Sequence, residues 1–212
     1  MGTYKKGILG NIRGKVGTVI GSRWKGIEYL RSLSGPRQGE ATEAQKQHQA
    51  RFAFGVRFLQ PLHPVLRIGF RTQVKKKSAL NAALSDLLIN AIGGSYPAYQ
   101  VDFNSLRIAK GTMVPPQEAQ VGIENDQLQF SWSTNTTHGD AQADDTALLV
   151  ACGDNMWPIF SLTEFVRGDG TGTLALPQAE AGQAIHCYLA FVGSGTRTGV
   201  SNSVPVGNVI HP

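Results

Sequence analysis

The chain has 212 residues, of which 41% are hydrophobic and 17% charged, and its formal net charge at pH 7 is +5. This apolar fraction is ordinary for a globular protein and is ample for a core. The longest apolar runs fall far short of the ~20 residues that cross a bilayer, and two cysteines do not make a disulfide framework. We see no cleavable signal peptide, so we expect cytoplasmic synthesis; export or release within an assembly stays open.

The charge is unevenly distributed along the chain. Residues 1–110 hold nine lysines, nine arginines and five acidic residues, a formal charge of +13, whereas residues 111–212 hold two arginines and ten acidic residues, a charge of −8. Two explanations remain open. The basic half binds a polyanion such as nucleic acid, or the two halves attract each other, within one molecule or head to tail between copies.

Residues 1–35 form a glycine-rich, basic segment. Side chains alternate from Val16 to Trp24 and again from Ile27 to Arg31, which predicts two strands joined by a tight turn at Lys25-Gly26 with the glycine at positive φ. A helix is disfavoured, because each internal glycine costs about 1 kcal/mol relative to alanine. The segment has too few large side chains to fold alone, so we predict a β-arm that packs on another element. The residues assigned to this assembly arm are Gly14, Lys15, Val16, Gly17, Val19, Gly21, Trp24, Gly26, Tyr29 and Arg31.

The same segment is a candidate for polyanion binding. Gly10 and Gly14 are separated by three residues, where a phosphate-binding P-loop needs four, so that motif is absent. Trp24 and Tyr29 could stack on bases, although both also suit hairpin packing. The candidate polyanion contacts are Arg13, Lys15, Arg23, Lys25, Lys75, Lys76 and Lys77.

Residues 36–112 are predicted to hold helices and one strand. A helix begins after Thr42 and ends before Pro61, with an apolar face that includes a packed His48. A short segment over 65–70 follows, and Ser78 begins a second clear helix that ends at Gly93-Gly94. Alternation over 101–107 predicts a strand. The apolar face of the second clear helix comprises Leu80, Leu84, Leu87, Leu88 and Ala91.

Residues 113–212 are predicted to fold as an antiparallel β-sandwich. Seven short apolar segments with turn signals between them fit this architecture. Their bounds are 119–123, 128–132, 147–152, 159–167, 172–176, 184–192 and 200–209. The predicted fold class is therefore α+β, with an N-terminal β-arm (1–35), a helical segment with a following strand (36–112) and a β-sandwich domain (113–212).

The last hundred residues resemble a fibronectin type III domain, within the immunoglobulin-like class of sandwiches. The resemblance rests on Pro115-Pro116 at the entry, Trp132 in the second strand, Leu176-Pro177, and the closing runs 188–191 and 199–203. It departs from that fold in the long acidic loop after Trp132. The resemblance implies a binding or spacer module, since fold alone does not fix function.

The whole chain also resembles a family of uncharacterised bacterial proteins of about this length. The matching features are residues 14–17, Trp24-Lys25-Gly26, Arg31, the glutamine-rich helix start, Tyr96-Pro97 and residues 200–203. This resemblance implies an architecture and no mechanism.

Signatures of a catalytic or metal site are absent from the sequence. The motifs HExxH, CxxC, GxSxG and DxDxDG do not occur. The acidic loop 134–145, with His138, is interpreted as solvated, because its spacing fits no calcium loop. Arg167-Gly168-Asp169, a tripeptide that some receptors recognise, is interpreted as part of a turn. Cys152 and Cys187 are interpreted as buried thiols, although pairing between neighbouring strands is open.

From these patterns we expect a non-enzymatic structural protein without catalytic residues, cofactor or metal. We expect it to form a homo-oligomer, as the subunit of a filament, tube or phage-like particle, through the N-terminal β-arm and the oppositely charged halves. The alternative is a protein whose basic half binds nucleic acid or another polyanion.

Overall fold

The structure, a computed structural model, describes residues 3–4, 12–24, 26–35, 39–74, 77–137 and 139–212. The chain divides into two compact units, residues 1–42 and residues 43–212. Its three α-helices and many antiparallel strands confirm the predicted α+β class. Lys25, Lys75, Lys76 and His138, which figured in the sequence predictions, lie outside the described residues.

The first unit is one antiparallel sheet, which we call the N-terminal sheet. Its strands run in the order β1-β2-β3-β4. Trp24 pairs with Ile27 and Gly26 has a φ of +84°, which confirms the predicted hairpin at this point. The single strand predicted from Val16 to Trp24 is wrong, because Gly17, at a φ of +59°, begins a turn that pairs Val16 with Val19. The strand bounds are β1 Thr3–Tyr4, β2 Ile12–Val16, β3 Val19–Trp24 and β4 Ile27–Ser32.

A close backbone approach shapes this sheet. Gly14 has a φ of +91° and is the first residue of β2 that pairs with β3. The two residues before it, Ile12 and Arg13, pair with β1 instead. The carbonyl oxygen of Ile12 lies where a side chain on Gly21 would be, and Gly21 is buried. These two glycines let β2 bend and cross β3, the role predicted for glycines inside strands.

Three helices open the second unit: α1 Glu43–Leu59, α2 His63–Gly69 and α3 Ala79–Asn90. The Ser78 hydroxyl accepts a hydrogen bond from the backbone N–H of Asn81, which confirms the predicted cap of α3. The predicted packing of His48 is wrong, because the first two turns of α1 are exposed and its buried residues are Gly55 and Leu59.

A small hairpin follows α3, in the place where the sequence predicts the last residues of the helix and then a single longer strand. The helix ends at Asn90, and Gly93-Gly94 lie in β5 (Ile92–Ser95), which pairs with β6 (Ala98–Val101). The predicted strand over 101–107 is therefore wrong beyond Val101. Residues 102–111 form an irregular segment, which includes buried Phe103, Leu106 and Ile108.

The rest of the second unit has seven strands in the predicted order, but the predicted strand 159–167 ends at Ser161 and the predicted strand 200–209 begins only at Val204. Three strands form a sheet in the order β11-β8-β7, and four form a sheet in the order β10-β9-β12-β13. The likeness to a fibronectin type III domain stays a prediction. The strand bounds are β7 Gln120–Glu124, β8 Gln127–Ser131, β9 Thr146–Cys152, β10 Ile159–Ser161, β11 Thr171–Ala175, β12 Ala184–Val192 and β13 Val204–Ile210.

The two central strands of the larger sheet are buried on both faces. In β9, Leu149 faces the core between the two sheets, whereas its neighbour Val150 packs in the core formed by the helices. In β12, Cys187 faces the core between the two sheets and Tyr188 packs in the core formed by the helices. The Tyr188 hydroxyl donates a 2.6 Å hydrogen bond to the Phe103 carbonyl. The second unit therefore has three layers: helices, a four-stranded sheet and a three-stranded sheet.

A buried charged pair joins the two sheets. Arg167 is fully buried, and its Nε lies 3.1 Å from the carboxylate of Asp145, which is also fully buried. The guanidinium also donates to Asn135 Oδ1 and to the Val114 carbonyl, and it lies 3.9 Å from the centre of the Phe191 ring. This burial rules out receptor recognition through Arg167-Gly168-Asp169 in the folded protein.

The acidic loop is more integrated than we predicted. Asp145 and Asp144 both bind Arg197, and the Asp140 side chain accepts a hydrogen bond from the backbone N–H of Val114. The predicted exposure is wrong at Asp145, which is fully buried against Arg167. The two residues are 22 positions apart, and the sequence gives no sign of their pairing.

The cysteine thiols are free and buried. Cys152 lies in the helix-side core and Cys187 in the core between the sheets, so the two thiols lie on opposite faces of the sheet. Burial raises the pKa of Cys187 to about 12 and also raises the pKa of Cys152. The interpretation of both residues as buried thiols is confirmed.

None of the helices within the described ranges is both long and apolar enough to cross a bilayer.

We expect Asp145→Asn to lower the free energy of unfolding by about 3–5 kcal/mol, because it leaves the Arg167 charge buried without a carboxylate. Urea unfolding monitored by tryptophan fluorescence measures this. The control is Asp144→Asn, which removes a 65% exposed carboxylate from the same loop and should cost less than about 1 kcal/mol. Equal losses of unfolding free energy in the two variants would show that the buried Arg167 charge is not stabilised by the Asp145 carboxylate.

We expect Gly21→Ala to disrupt the crossing of β2 over β3, at a cost of roughly 1–3 kcal/mol for overpacking. Amide hydrogen exchange should then show lost protection in residues 12–24. Gly35→Ala is the matched control, because a Cβ there meets open space. Unchanged protection in Gly21→Ala would contradict the close approach.

Candidate functional site: the N-terminal sheet

The strand register divides the side chains of the N-terminal sheet between two faces, since residues opposite each other in antiparallel strands share a face. The first, which we call the aromatic face, combines aromatic and aliphatic side chains with cations. Its members, grouped by register, are Lys15, Ile20 and Arg31; Ser22 and Tyr29; Trp24 and Ile27. A cation therefore lies on each side of Ile20, on the face that also carries the exposed rings of Tyr29 and Trp24.

The opposite face, which we call the aliphatic face, has a different chemistry. Its members, grouped by register, are Gly14, Gly21 and Leu30; Val16, Val19 and Ser32; Arg23 and Glu28. Arg23 and Glu28, the two charged residues that the described register assigns to this face, lie opposite each other. The described register therefore puts cations on both faces but the rings of Trp24 and Tyr29 on one.

Apolar side chains are exposed on both faces. Ile27 is 68% exposed and Trp24 53% on the aromatic face, and Leu30 is 60% exposed and Val16 47% on the aliphatic face. In an ordinary antiparallel sheet at least one face packs on a core, and its apolar side chains are buried there. Among the described residues of this unit no apolar side chain is buried, so the sheet has no apolar core there.

The structure brings together some of the predicted contacts and separates others. Lys15 and Arg31 share the aromatic face, whereas Arg23 lies on the other face. Arg13 lies in the part of β2 that pairs with β1, and with Gly21 and Arg23 it lines an open cavity of about 530 Å³. Lys77 belongs to the second unit, so the structure does not join it to this group.

Sequence reasoning missed three apolar residues of this sheet as arm residues: half-buried Ile20 and exposed Ile27 and Leu30. Alternation placed Ile27 in a strand, but only the register reveals that Ile20 and Ile27 share a face with Trp24 and Tyr29. The turn at Gly17 hid this arrangement, because it shifts which residues of β2 and β3 lie opposite each other.

Groups with possible chemical roles lie elsewhere, in the second unit. The ring of His186 stacks on Phe103 with the ring centres 3.9 Å apart, and burial lowers the pKa of this histidine. Cys187, its neighbour, points to the opposite face, as strand alternation requires. Over the described ranges, no three His, Cys, Asp or Glu side chains are grouped closely enough to hold a metal ion.

Comparison with known proteins supports the resemblance found in the sequence. A search of curated proteins found no match. A family model does match, and it covers residues 10–207, which include both most of the N-terminal sheet and nearly all of the second unit. The chain therefore belongs to the DUF6266 family, a family of unknown function.

Proposed function

We propose that this protein is a non-enzymatic structural subunit that assembles with copies of itself through the N-terminal sheet. The observation that carries the proposal is that this sheet exposes apolar side chains on both faces. A sheet of this kind gains stability when its apolar face is covered. Covering it with another copy builds an oligomer.

The exposed apolar surface is large enough to matter for association. Complete burial of a large, fully exposed apolar side chain contributes about 1.5–3 kcal/mol, and association costs roughly 4–15 kcal/mol in lost freedom of motion. The exposed apolar side chains of this unit are Val16, Val19, Trp24, Ile27, Tyr29, Leu30 and Leu33. They are between 37% and 68% exposed, so covering all seven contributes roughly 5–10 kcal/mol, which is comparable with that cost.

The charge distribution favours a head-to-tail arrangement. A +13 half in one copy attracts the −8 half in the next. Such a contact uses two different surfaces, so it repeats and builds a ring, a tube, a filament or a particle shell.

We expect deletion of residues 1–35 to convert the assembled protein into a monomer. Sedimentation velocity with electron microscopy of the same samples measures this at low and at high salt. Particles or filaments of the full chain that weaken as salt rises would show that charge contributes to assembly. A full-length protein that stays monomeric in both conditions, or a truncated protein that assembles as the full chain does, would contradict the proposal.

A second candidate function, binding of nucleic acid or another polyanion, is favoured by one observation: Lys15 and Arg31 share a face with Trp24 and Tyr29. Cations that track a phosphate backbone beside aromatic rings that stack on bases are typical of single-strand binding. The open cavity lined by Arg13 and Arg23 adds further positive charge to this unit.

For this second function, we expect Lys15→Gln with Arg31→Gln to weaken binding of a single-stranded oligonucleotide. The slope of log affinity against log salt should fall by roughly 0.7 for each lost phosphate contact. Fluorescence anisotropy at several salt concentrations measures both effects. Arg57→Gln with Arg67→Gln is the control, because it removes two exposed arginines from α1 and α2 in the second unit. Equal effects in both variants would show non-specific attraction to the basic half.

A further inference from the structure

We infer that the open edge of β4 pairs with β4 of a second copy, antiparallel and about a two-fold axis. The inference rests on the proposed function and names the contact between copies. It joins two N-terminal sheets into one continuous sheet, to which each copy offers the same strand.

The edge of β4 is free along its length. β4 ends the order of strands, and β3 is the one described element that packs along it. All six residues of β4 pair with β3 without a bulge, and all six are exposed. The strand contains neither proline nor lysine, so it lacks the usual devices that protect an edge from pairing. β1, at the other end of the sheet, is two residues long.

The hydrogen bonding between β3 and β4 shows which backbone groups this edge offers. The N–H of Leu33 donates a 2.6 Å hydrogen bond to the carbonyl of Thr18, the residue opposite it when the register of the two strands is continued. Hydrogen-bonded and non-hydrogen-bonded pairs alternate along antiparallel strands. In β4 the odd-numbered residues therefore direct their N–H and C=O groups towards β3, as Leu33 does. The groups that face outward belong to Glu28, Leu30 and Ser32.

The side chains of β4 favour one register for this pairing. When Leu30 lies on the two-fold axis, it faces Leu30 of the second copy, and all the outward backbone groups form hydrogen bonds between copies. Arg31 then faces Tyr29 of the second copy in a non-hydrogen-bonded pair, where side chains approach most closely and a guanidinium can lie over the ring. Glu28 faces Ser32. Like charges do not meet in this register, so a strand with one glutamate and one arginine is compatible with its own copy.

The two-fold axis keeps the aromatic faces of both copies on the same side, since residues opposite each other share a face. One surface of the joined sheet therefore carries Trp24 and Tyr29 of both copies, and the other carries Val16, Val19 and Leu30 of both. A contact that uses the same surface twice closes as a dimer. The attraction between oppositely charged halves then acts between dimers.

The first test places charges on the two-fold axis. We expect Leu30→Lys to raise the dissociation constant of the dimer roughly tenfold or more, because two ammonium groups then face each other. The control is Val16→Lys, which changes an exposed apolar residue on the same face, two strands away, by the same charge. Sedimentation velocity at several protein concentrations compares both variants with the native chain.

A charge swap makes this test specific to the register. A mixture of Leu30→Lys and Leu30→Glu proteins should form heterodimers at concentrations at which each variant alone is monomeric, because opposite charges then face each other across the axis. Leu30 is 60% exposed, so neither change removes a buried side chain.

The second test measures the distance between copies. A nitroxide spin label on Leu30→Cys should show strong dipolar broadening in electron spin resonance, since the two labelled Cα atoms lie about 5.5 Å apart. A label on Val16→Cys is the control, because it lies five strand spacings, roughly 24 Å or more, from its counterpart. The native thiols, Cys152 and Cys187, are buried.

The outcomes separate this inference from the proposed function. Assembly that requires residues 1–35 but responds equally to Leu30→Lys and Val16→Lys, with no heterodimers in the charge swap, overturns the β4 contact and leaves the proposed function standing. A native protein that stays monomeric overturns both. Loss of the dimer in Leu30→Lys alone, with heterodimers in the mixture and broadening at position 30, supports both.

Discussion

The double burial of β9 and β12 is the constraint on which the second unit depends. A strand that is apolar on both faces needs a layer on each side, and here the three-stranded sheet supplies one and the helices the other. The buried Arg167 fits the same arrangement, because its contacts come from β12, from the loop before β9 and from the segment that enters the sandwich. The core on the helix side and the core between the two sheets therefore both depend on the four-stranded sheet that separates them.

The N-terminal sheet differs from this arrangement, because its large apolar side chains are mostly exposed. It has an order of strands, defined turns and a close glycine crossing, yet none of its described apolar side chains is buried. The proposed assembly would cover this exposed apolar surface.

Local signals in the sequence predicted much of this fold. The Ser78 cap, the seven sandwich strands and the Gly26 turn each depend on a few neighbouring residues, so they could be inferred directly. The partner of Arg167 could not be inferred in this way, because Asp145 reaches it only through the tertiary fold. The two faces of the N-terminal sheet could not be inferred either, since one turn at Gly17 decides which residues lie opposite each other. Alternation identifies strands but does not give their register.

The structure also refines the meaning of the charge split. Several carboxylates of the acidic half are used internally: Asp145 by Arg167, Asp144 by Arg197, and Asp140 and Asp169 by backbone N–H groups. In the basic half, Asp86 holds Lys110 and Arg107, so some of its positive charge is also compensated. The charges that remain exposed lie on the N-terminal sheet, on α1 and α2 and around the sandwich, for example at Asp154, Glu164 and Glu180. It is these exposed charges that act on a partner.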